Sequence, residues 1–251
     1  MHLPMKRICS ILLAASLAVM LAACGTTQEP SGSEPSPDTS SAQTQEPGSE
    51  ATAEGDGKVL VAYFTHESNN VFDGDLTDVD AITSATVQRN GDEFPPQVID
   101  GEHKGNTQII AEYIAEYTGG DLFAIQVVED EKYPIDGYDT LDVAQVQRAE
   151  NARPELSTHV ENIQDYDVIY LGFPNWWGTM PMPVFTFLEE YDFSGKTIIP
   201  FATHDGSGLG SGRRDIESEC PDAEVLDGLA IRYNEVLDAQ DEVNEWLDSM
   251  N

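Results

Sequence analysis

The chain has 251 residues, of which 46 are Asp or Glu and only 12 are Lys or Arg, a formal charge of −34. Such a surplus of negative charge excludes nucleic acid and anionic lipid headgroups as partners. Apolar (40%) and aromatic (8%) content are ordinary for a globular protein, so one domain with a core of normal size is expected once a leader and a low-complexity stretch are set aside.

Lys6 and Arg7 precede an apolar run over 8–23, a basic segment followed by a hydrophobic one too short to span a bilayer comfortably. The run ends in Leu21-Ala22-Ala23-Cys24, followed by Gly25, and resembles the lipobox at which bacterial lipoproteins are cleaved and acylated. That resemblance implies a signal peptide over 1–23, lipidation of Cys24, and a protein anchored at the extracytoplasmic face of the cell membrane. Residues 26–57 are Ser, Thr, Pro, Gly, Gln and Glu with almost nothing apolar, so 24–57 is expected to be a disordered tether. With Cys24 acylated and Cys220 left alone, no disulfide framework can be drawn.

The folded part is expected over 58–251. Residues 58–64 form a short apolar run rich in β-formers, which predicts a strand covered on both faces of a parallel sheet. A helix is predicted from Asn106, with Ile109, Ile110, Tyr113, Ile114 and Tyr117 at helical spacing, until Gly119 and Gly120 stop it. Residues 121–128 read as a second strand, 140–152 as a helix that Pro154 ends at the latest, 166–173 as a third strand and 183–191 as a helix. A fourth strand over 196–203 contains Pro200, awkward for a central ladder position. A helix over 212–219 leads to a last strand around 225–231 and a closing helix over 235–250, with Val236, Leu237, Val243, Trp246 and Leu247 facing inward. This alternation predicts an α/β fold, a three-layer, doubly wound, parallel five-stranded sheet. Ligands of such sheets bind beyond the carboxyl ends of the strands, here the loops after Phe64, Phe173 and Thr203.

Thr65 follows the first strand, and about forty residues later Lys104-Gly105-Asn106-Thr107 opens the helix. Hydroxyls, a glycine and a helix N-terminus together favour an anion. Tyr63, Phe64, Thr65, Gly105, Asn106 and Thr107 resemble the Tyr-Phe-Ser-x-Thr-Gly-Asn-Thr phosphate loop of the flavodoxin family, with about 66–104 inserted into it. Gly172-Phe173-Pro174-Asn175-Trp176-Trp177-Gly178, with Thr179, resembles the family's Gly-x-Pro-x-Trp-Trp-Gly segment. Thr203-His204-Asp205-Gly206-Ser207-Gly208 resembles its glycine-rich second flavin loop. The resemblance spans 58–251 and implies FMN as cofactor, its phosphate near Thr65, Gly105, Asn106 and Thr107. The ring would lie among Pro174, Asn175, Trp176, Trp177, Gly178 and Thr179 and against His204, Asp205, Gly206, Ser207 and Gly208. An exposed aromatic stacked on the ring contributes about 0.5–1.5 kcal/mol beyond area burial, and glycines let backbone groups approach the flavin's polar edge.

His204, Asp205 and Ser207 have the composition of a hydrolytic triad, but neighbours in one short loop do not converge as nucleophile, base and orienter. Asp73, Asp75, Asp78 and Asp80 lack the glycine and terminal glutamate of a calcium loop and read as a solvated acidic stretch, with no metal expected. Asp80-Ala81-Ile82-Thr83-Ser84-Ala85-Thr86 resembles the motif on which bacterial flavin transferases attach FMN to threonine, which would make Thr86 a covalent FMN residue; the alternative is a surface turn of small residues.

Taken together, these resemblances imply an FMN-binding redox protein that transfers electrons outside the cytoplasm at the membrane surface, to a redox partner protein or a small-molecule acceptor. The competing expectations are an FMN-dependent NAD(P)H or quinone reductase and a flavodoxin-like binding module that has lost flavin. With Lys104 the one cation expected in the three loops, an acidic shell should lower the flavin's potential and steer basic redox partners.

Overall fold

Residues 58–63 alternate between two cores. Leu60, Ala62 and Phe64 belong to one buried cluster, and Val61 and Tyr63 to another on the opposite face. That two-residue period is what a strand sandwiched between helical layers requires. The computed structural model describes residues 57–71, 88–89, 92–93, 97–99, 102–134 and 137–250. The expected leader, Cys24, the tether up to residue 56, the acidic run from Asp73 to Asp80, and Thr86 lie outside the described residues.

In chain order, β1 (Lys58–Tyr63) precedes two short antiparallel pairs, β2 (Gln88–Arg89) with β3 (Asp92–Glu93) and β4 (Gln97–Ile99) with β5 (Glu102–Lys104). Then come α1 (Asn106–Thr118), β6 (Asp121–Ala124), α2 (Gly137–Glu150), β7 (Tyr166–Pro174), α3 (Met182–Glu190) and β8 (Thr197–His204). The chain continues through α4 (Gly212–Glu219), β9 (Glu224–Val225), β10 (Leu229–Arg232) and α5 (Gln240–Asp248). The main sheet is parallel, in the order β10-β8-β7-β1-β6, with β9 also beside β8. Counting β9 and β10 as one interrupted strand, this is the expected five-stranded, doubly wound α/β sheet, with the order reversing at β1. Helices α1 and α5 cover the face holding Val61, Tyr170 and Phe201, whereas α3 and α4 cover the face holding Leu171, Phe173 and Ile198.

Three expectations are corrected in detail. The second strand ends at Ala124 rather than 128, because the backbone beyond it pairs elsewhere: the Val127 N–H donates to Asn69 Oδ1 (2.9 Å), and Val128 N–H to Glu155 O (3.0 Å). The closing helix is two pieces, a 3₁₀ turn over Val236–Asp238 and then α5. Since residues three apart eclipse in a 3₁₀ turn, Val236 and Ala239 face inward together, and Leu237 points out with half its surface exposed.

The last strand breaks at 226–228, and Pro200 explains why. Leu226 N–H donates to Ile198 O (3.0 Å), so the backbone groups of Ile198, and two residues on of Pro200, face this neighbour. Pro200 has no N–H to give, and the partner strand is interrupted opposite it. Gly228 fills the interruption: a Cβ there would lie 2.2 Å from Pro200 O. Gly228→Ala should therefore lower unfolding free energy by about 1–3 kcal/mol, the usual cost of overpacking, measured by urea denaturation; an unchanged midpoint would contradict this account of the break.

Candidate functional site

The carboxyl ends of β1, β7 and β8 bring the three anticipated loops to one edge of the sheet. At the first, Thr65 is buried, and the chain turns at 66–69, where Asn69 N–H donates to His66 O (2.9 Å). Asn69 is fully buried, and its carboxamide is fully used. Nδ2 donates to Thr65 O (2.8 Å) and Ile125 O (3.1 Å), and Oδ1 accepts from Val127 N–H. His66 Nε2 donates to Pro134 O (2.8 Å), which also accepts from the Thr140 hydroxyl (2.6 Å).

The helix N-terminus that completes this half of the site arrives from β5, about forty residues later. Gly105 caps α1 with extended backbone (φ −74°, ψ 151°) and no side-chain hydrogen bond. The space a Cβ would take there is filled by Thr65 Oγ1, at 1.9 Å, and Glu67 Oε2, at 2.3 Å. Thr65 Oγ1 donates to that carboxylate over 2.5 Å. A helix N-terminus attracts anions, and the Glu67 carboxylate lies beside this one. Beside it stands His103, whose Nε2 is buried without a hydrogen-bond partner. Burial lowers the pKa of that imidazole, Glu67 raises it and His66 lowers it. The Thr107 hydroxyl is taken up by Thr203 Oγ1 (2.9 Å), tying the start of α1 to the end of β8.

The loops after β7 and β8 are stitched together. Asn175 N–H donates to Thr203 O (2.8 Å), its Nδ2 to Gly208 O (2.6 Å), and its Oδ1 accepts from Gly178 N–H (2.9 Å). Gly178 O accepts from Ser211 N–H (2.8 Å), and both Thr179 Oγ1 and Ser211 Oγ donate to Asp215 Oδ2 at 2.5 Å. Gly210 must be glycine, with φ +58° and only 2.3 Å from its Cβ position to Gly178 O. His204 Nδ1 accepts from Gly206 N–H (2.7 Å), so a neutral ring carries its proton on Nε2.

The two tryptophans part company. Trp176 packs edge-on against Phe64 (5.6 Å) and Tyr133 (5.2 Å) and serves the core. Trp177 is 46% exposed. Trp176 and Thr179 exchange both backbone bonds (3.0 and 3.2 Å) around Trp177 (φ +55°) and Gly178 (φ +84°), a two-residue hairpin turn with both central residues at positive φ. Asn-Gly is the favoured pair for that turn; a bulky aromatic there is strained by about 1–3 kcal/mol. The strained side chain is held in place from α2. Its Nε1 donates to Leu141 O (2.7 Å), and its carbonyl accepts from Arg148 (2.6 Å).

The family model for flavodoxins matches residues 100–250. The chain belongs to the flavodoxin family. The matched stretch begins past β1 and most of the excursion, so the first half of the phosphate loop stands outside it. Among solved structures, the chain is similar to a protein described as a flavoprotein from Bacteroides eggerthii DSM 20697 (25% identity, TM-score 0.55, covering 77% of this chain and 98% of that one). It is similarly close to another from Bacteroides uniformis ATCC 8492 (26%, 0.55, 76% and 98%). A flavoprotein from Lactobacillus acidophilus NCFM in complex with FMN shares 20% identity at a TM-score of 0.48, over 74% and 99%. No curated protein matches the chain.

The anticipated residues do meet at one edge, but several differ from expectation in what they touch. Thr107 and Thr179 spend their hydroxyls within the fold, and Asn175 links two loops. Lys104 pairs with Glu112 at 2.6 Å. Lys104 is the one Lys or Arg within the three loops, as read from sequence, but two arginines reach this edge from outside them. Arg148 reaches the Trp177 turn, and Arg232 Nη2 lies 3.3 Å from the Cβ position of Gly206. Glu67, Asn69 and His103 carry the first loop and were not singled out from sequence. Of these only Asn69 left a signal, as a turn-forming Asn within a Ser-Asn-Asn run. A further cavity of about 290 Å³, lined by Lys58, Asp121, His159 and Tyr166 among others, lies at the amino ends of β1, β6 and β7, away from these loops.

Asn69→Ala leaves the buried Val127 N–H and the Ile125 carbonyl without the partner they have here and removes one of the two donors to Thr65 O. It should cost roughly 2–3 kcal/mol of stability by urea denaturation. His103 provides a pH signature. Unfolded, it takes up a proton near its ordinary pKa of about 6.5; folded, it does so only at lower pH. Between those values the unfolded chain binds more protons, so stability falls as pH drops. His103→Gln should lose less stability than the parent between about pH 7.5 and pH 5.5, as followed by denaturation midpoints at each pH.

Proposed function

We propose that this protein binds FMN across the three loops and transfers electrons at the extracytoplasmic face of the membrane, held there by acylated Cys24 and its tether. The observation that carries the reading is Trp177. A large aromatic that is strained, exposed and fastened by Leu141 and Arg148 at the carboxyl edge of the sheet is placed for a planar ligand rather than for the core. The space beside Gly105 at the start of α1 suits the anionic end of such a ligand, since a carboxylate, Glu67, already lies there. FMN, when bound, supplies the capacity to accept or release one or two electrons.

The protein's own residues would bind, orient and exclude water. Trp177 covers one face of the ring, the 204–208 loop brings backbone groups to its polar edge, and Thr65 with the first turn of α1 receives the phosphate. Arg148 and Arg232 offset part of the acidic field on a reduced, anionic ring, while the remaining surplus of negative charge steers basic redox partners toward the exposed edge. If transferase modification occurs, Thr86 would fix the same phosphate covalently.

The purified full chain should quench FMN fluorescence at one equivalent per chain, and turnover with NADPH and a quinone should be negligible beside its exchange of electrons with a basic redox protein. Trp177→Asn should weaken FMN binding about tenfold, near 1.4 kcal/mol, without lowering thermal stability, since Asn relieves the turn. A colourless protein that leaves FMN fluorescence untouched ends the proposal, and fast NADPH-quinone turnover replaces it with a reductase. Mass spectrometry of protein made with the transferase decides covalency: unmodified Thr86 leaves FMN held by contacts alone.

A further inference from the structure

Glu67 belongs to neither of the segments that resemble the family's phosphate loop, yet its carboxylate lies against the N-terminus of α1, where the phosphate is placed by the reading above, on which this inference rests. Three features make the placement built rather than incidental. Thr65 Oγ1 donates to Glu67 Oε2 over 2.5 Å, so the hydroxyl that would meet a phosphate is already bonded to an anion. Gly105 leaves room for that carboxylate: a Cβ would lie 2.3 Å from Oε2 and 2.9 Å from Cδ. The turn that carries Glu67 is fixed on either side, by His66 on Pro134 O and by the buried Asn69 on Thr65 O, Ile125 O and Val127 N–H.

Two anions do not share one helix N-terminus without mutual repulsion, and the Thr65 hydroxyl has one proton to donate. We propose that Glu67 is a resident competitor for the flavin's phosphate, holding the seat at Gly105 until the phosphate displaces it, and that it thereby sets how strongly the site prefers FMN over riboflavin. Displacement has a direction available. His103, on the strand that leads into Gly105, presents a buried Nε2 with no hydrogen-bond partner and already feels the Glu67 charge. On this proposal that imidazole is the group that receives the displaced carboxylate. Riboflavin, which has the ring and ribityl chain but no phosphate, leaves Glu67 where it is.

The test is a pair of fluorescence-quenching titrations, with FMN and with riboflavin, on the full chain and on Glu67→Gln and Glu67→Ala, each variant's folding being checked by thermal melting. The parent should bind the two flavins with similar affinity. Both variants should bind FMN about tenfold more tightly, the scale of one charge at a partly buried helix terminus, with riboflavin unchanged. If FMN weakens in the variants, or both flavins tighten together, Glu67 is a ligand or a structural residue and the inference is overturned. If the parent already prefers FMN by orders of magnitude and the variants match it, the carboxylate does not compete and the inference is likewise overturned. If no chain binds either flavin, the flavin reading itself falls, and this inference with it.

Discussion

Everything at the ligand edge depends on the carboxamide of Asn69. The loop after β1 and the helix it must meet are separated by more than thirty residues of chain, so the peptide backbone cannot hold the two halves in register. Loop-closure entropy grows only logarithmically with length, by about 0.6 kcal/mol for each doubling, and a long excursion is tolerable on that count. What it removes is local restraint. Asn69 restores it from the other side, joining Thr65 O to the chain beyond β6 through three hydrogen bonds formed with no exposed surface. The bond between Thr107 and Thr203 then fixes α1 to β8, and both halves of the seat are referred to the sheet rather than to each other.

At the other end of the site the constraint is strain rather than satisfaction. A turn with two positive φ values closes over Trp176 and Thr179 with Trp177 at one of its centres, where asparagine would sit more easily. The bonds that hold it come from α2, from Asn175 just before the turn and from the 204–211 loop: Leu141 and Arg148 on one flank, Asn175 and Ser211 on the other. A network so completely bonded makes the exposed indole rigid, and rigidity lowers the entropy lost when a planar ligand is taken up.

The architecture was legible because its signals are local. Continuous apolar runs at 58–64 and 166–173 mark strands covered on both faces, and Gly119 (φ +70°) ends α1 as a glycine in the left-handed region does. Two of the three misreadings come from contacts between segments remote in sequence, and the third from a local change of helix type. The last strand breaks because Pro200 stands across from it; the second stops short because Asn69 and Glu155 take its backbone bonds; Leu237 faces solvent because the final helix starts as a 3₁₀ turn. The same holds for the site. Glycines and tryptophans announced the loops, whereas Glu67, Arg148 and Arg232 entered only when folding brought them to the edge. A charged residue in a polar stretch has no periodicity to betray it.

Charge also divides labour within the site. The chain as a whole carries a large surplus of negative charge, and the start of α1, which favours an anion, already has a carboxylate beside it. Under the proposed reading, phosphate contacts yield little net affinity, because each one formed replaces a contact Glu67 gives up. Affinity must then come from the uncharged end, where stacking on Trp177 and backbone bonds from the glycine loop act at short range and are insensitive to salt. On that reading the site keeps its grip on the ring while the phosphate end is tuned by one side chain, and Glu67, rather than a threonine or glycine of the phosphate loop, sets how far FMN is preferred over riboflavin.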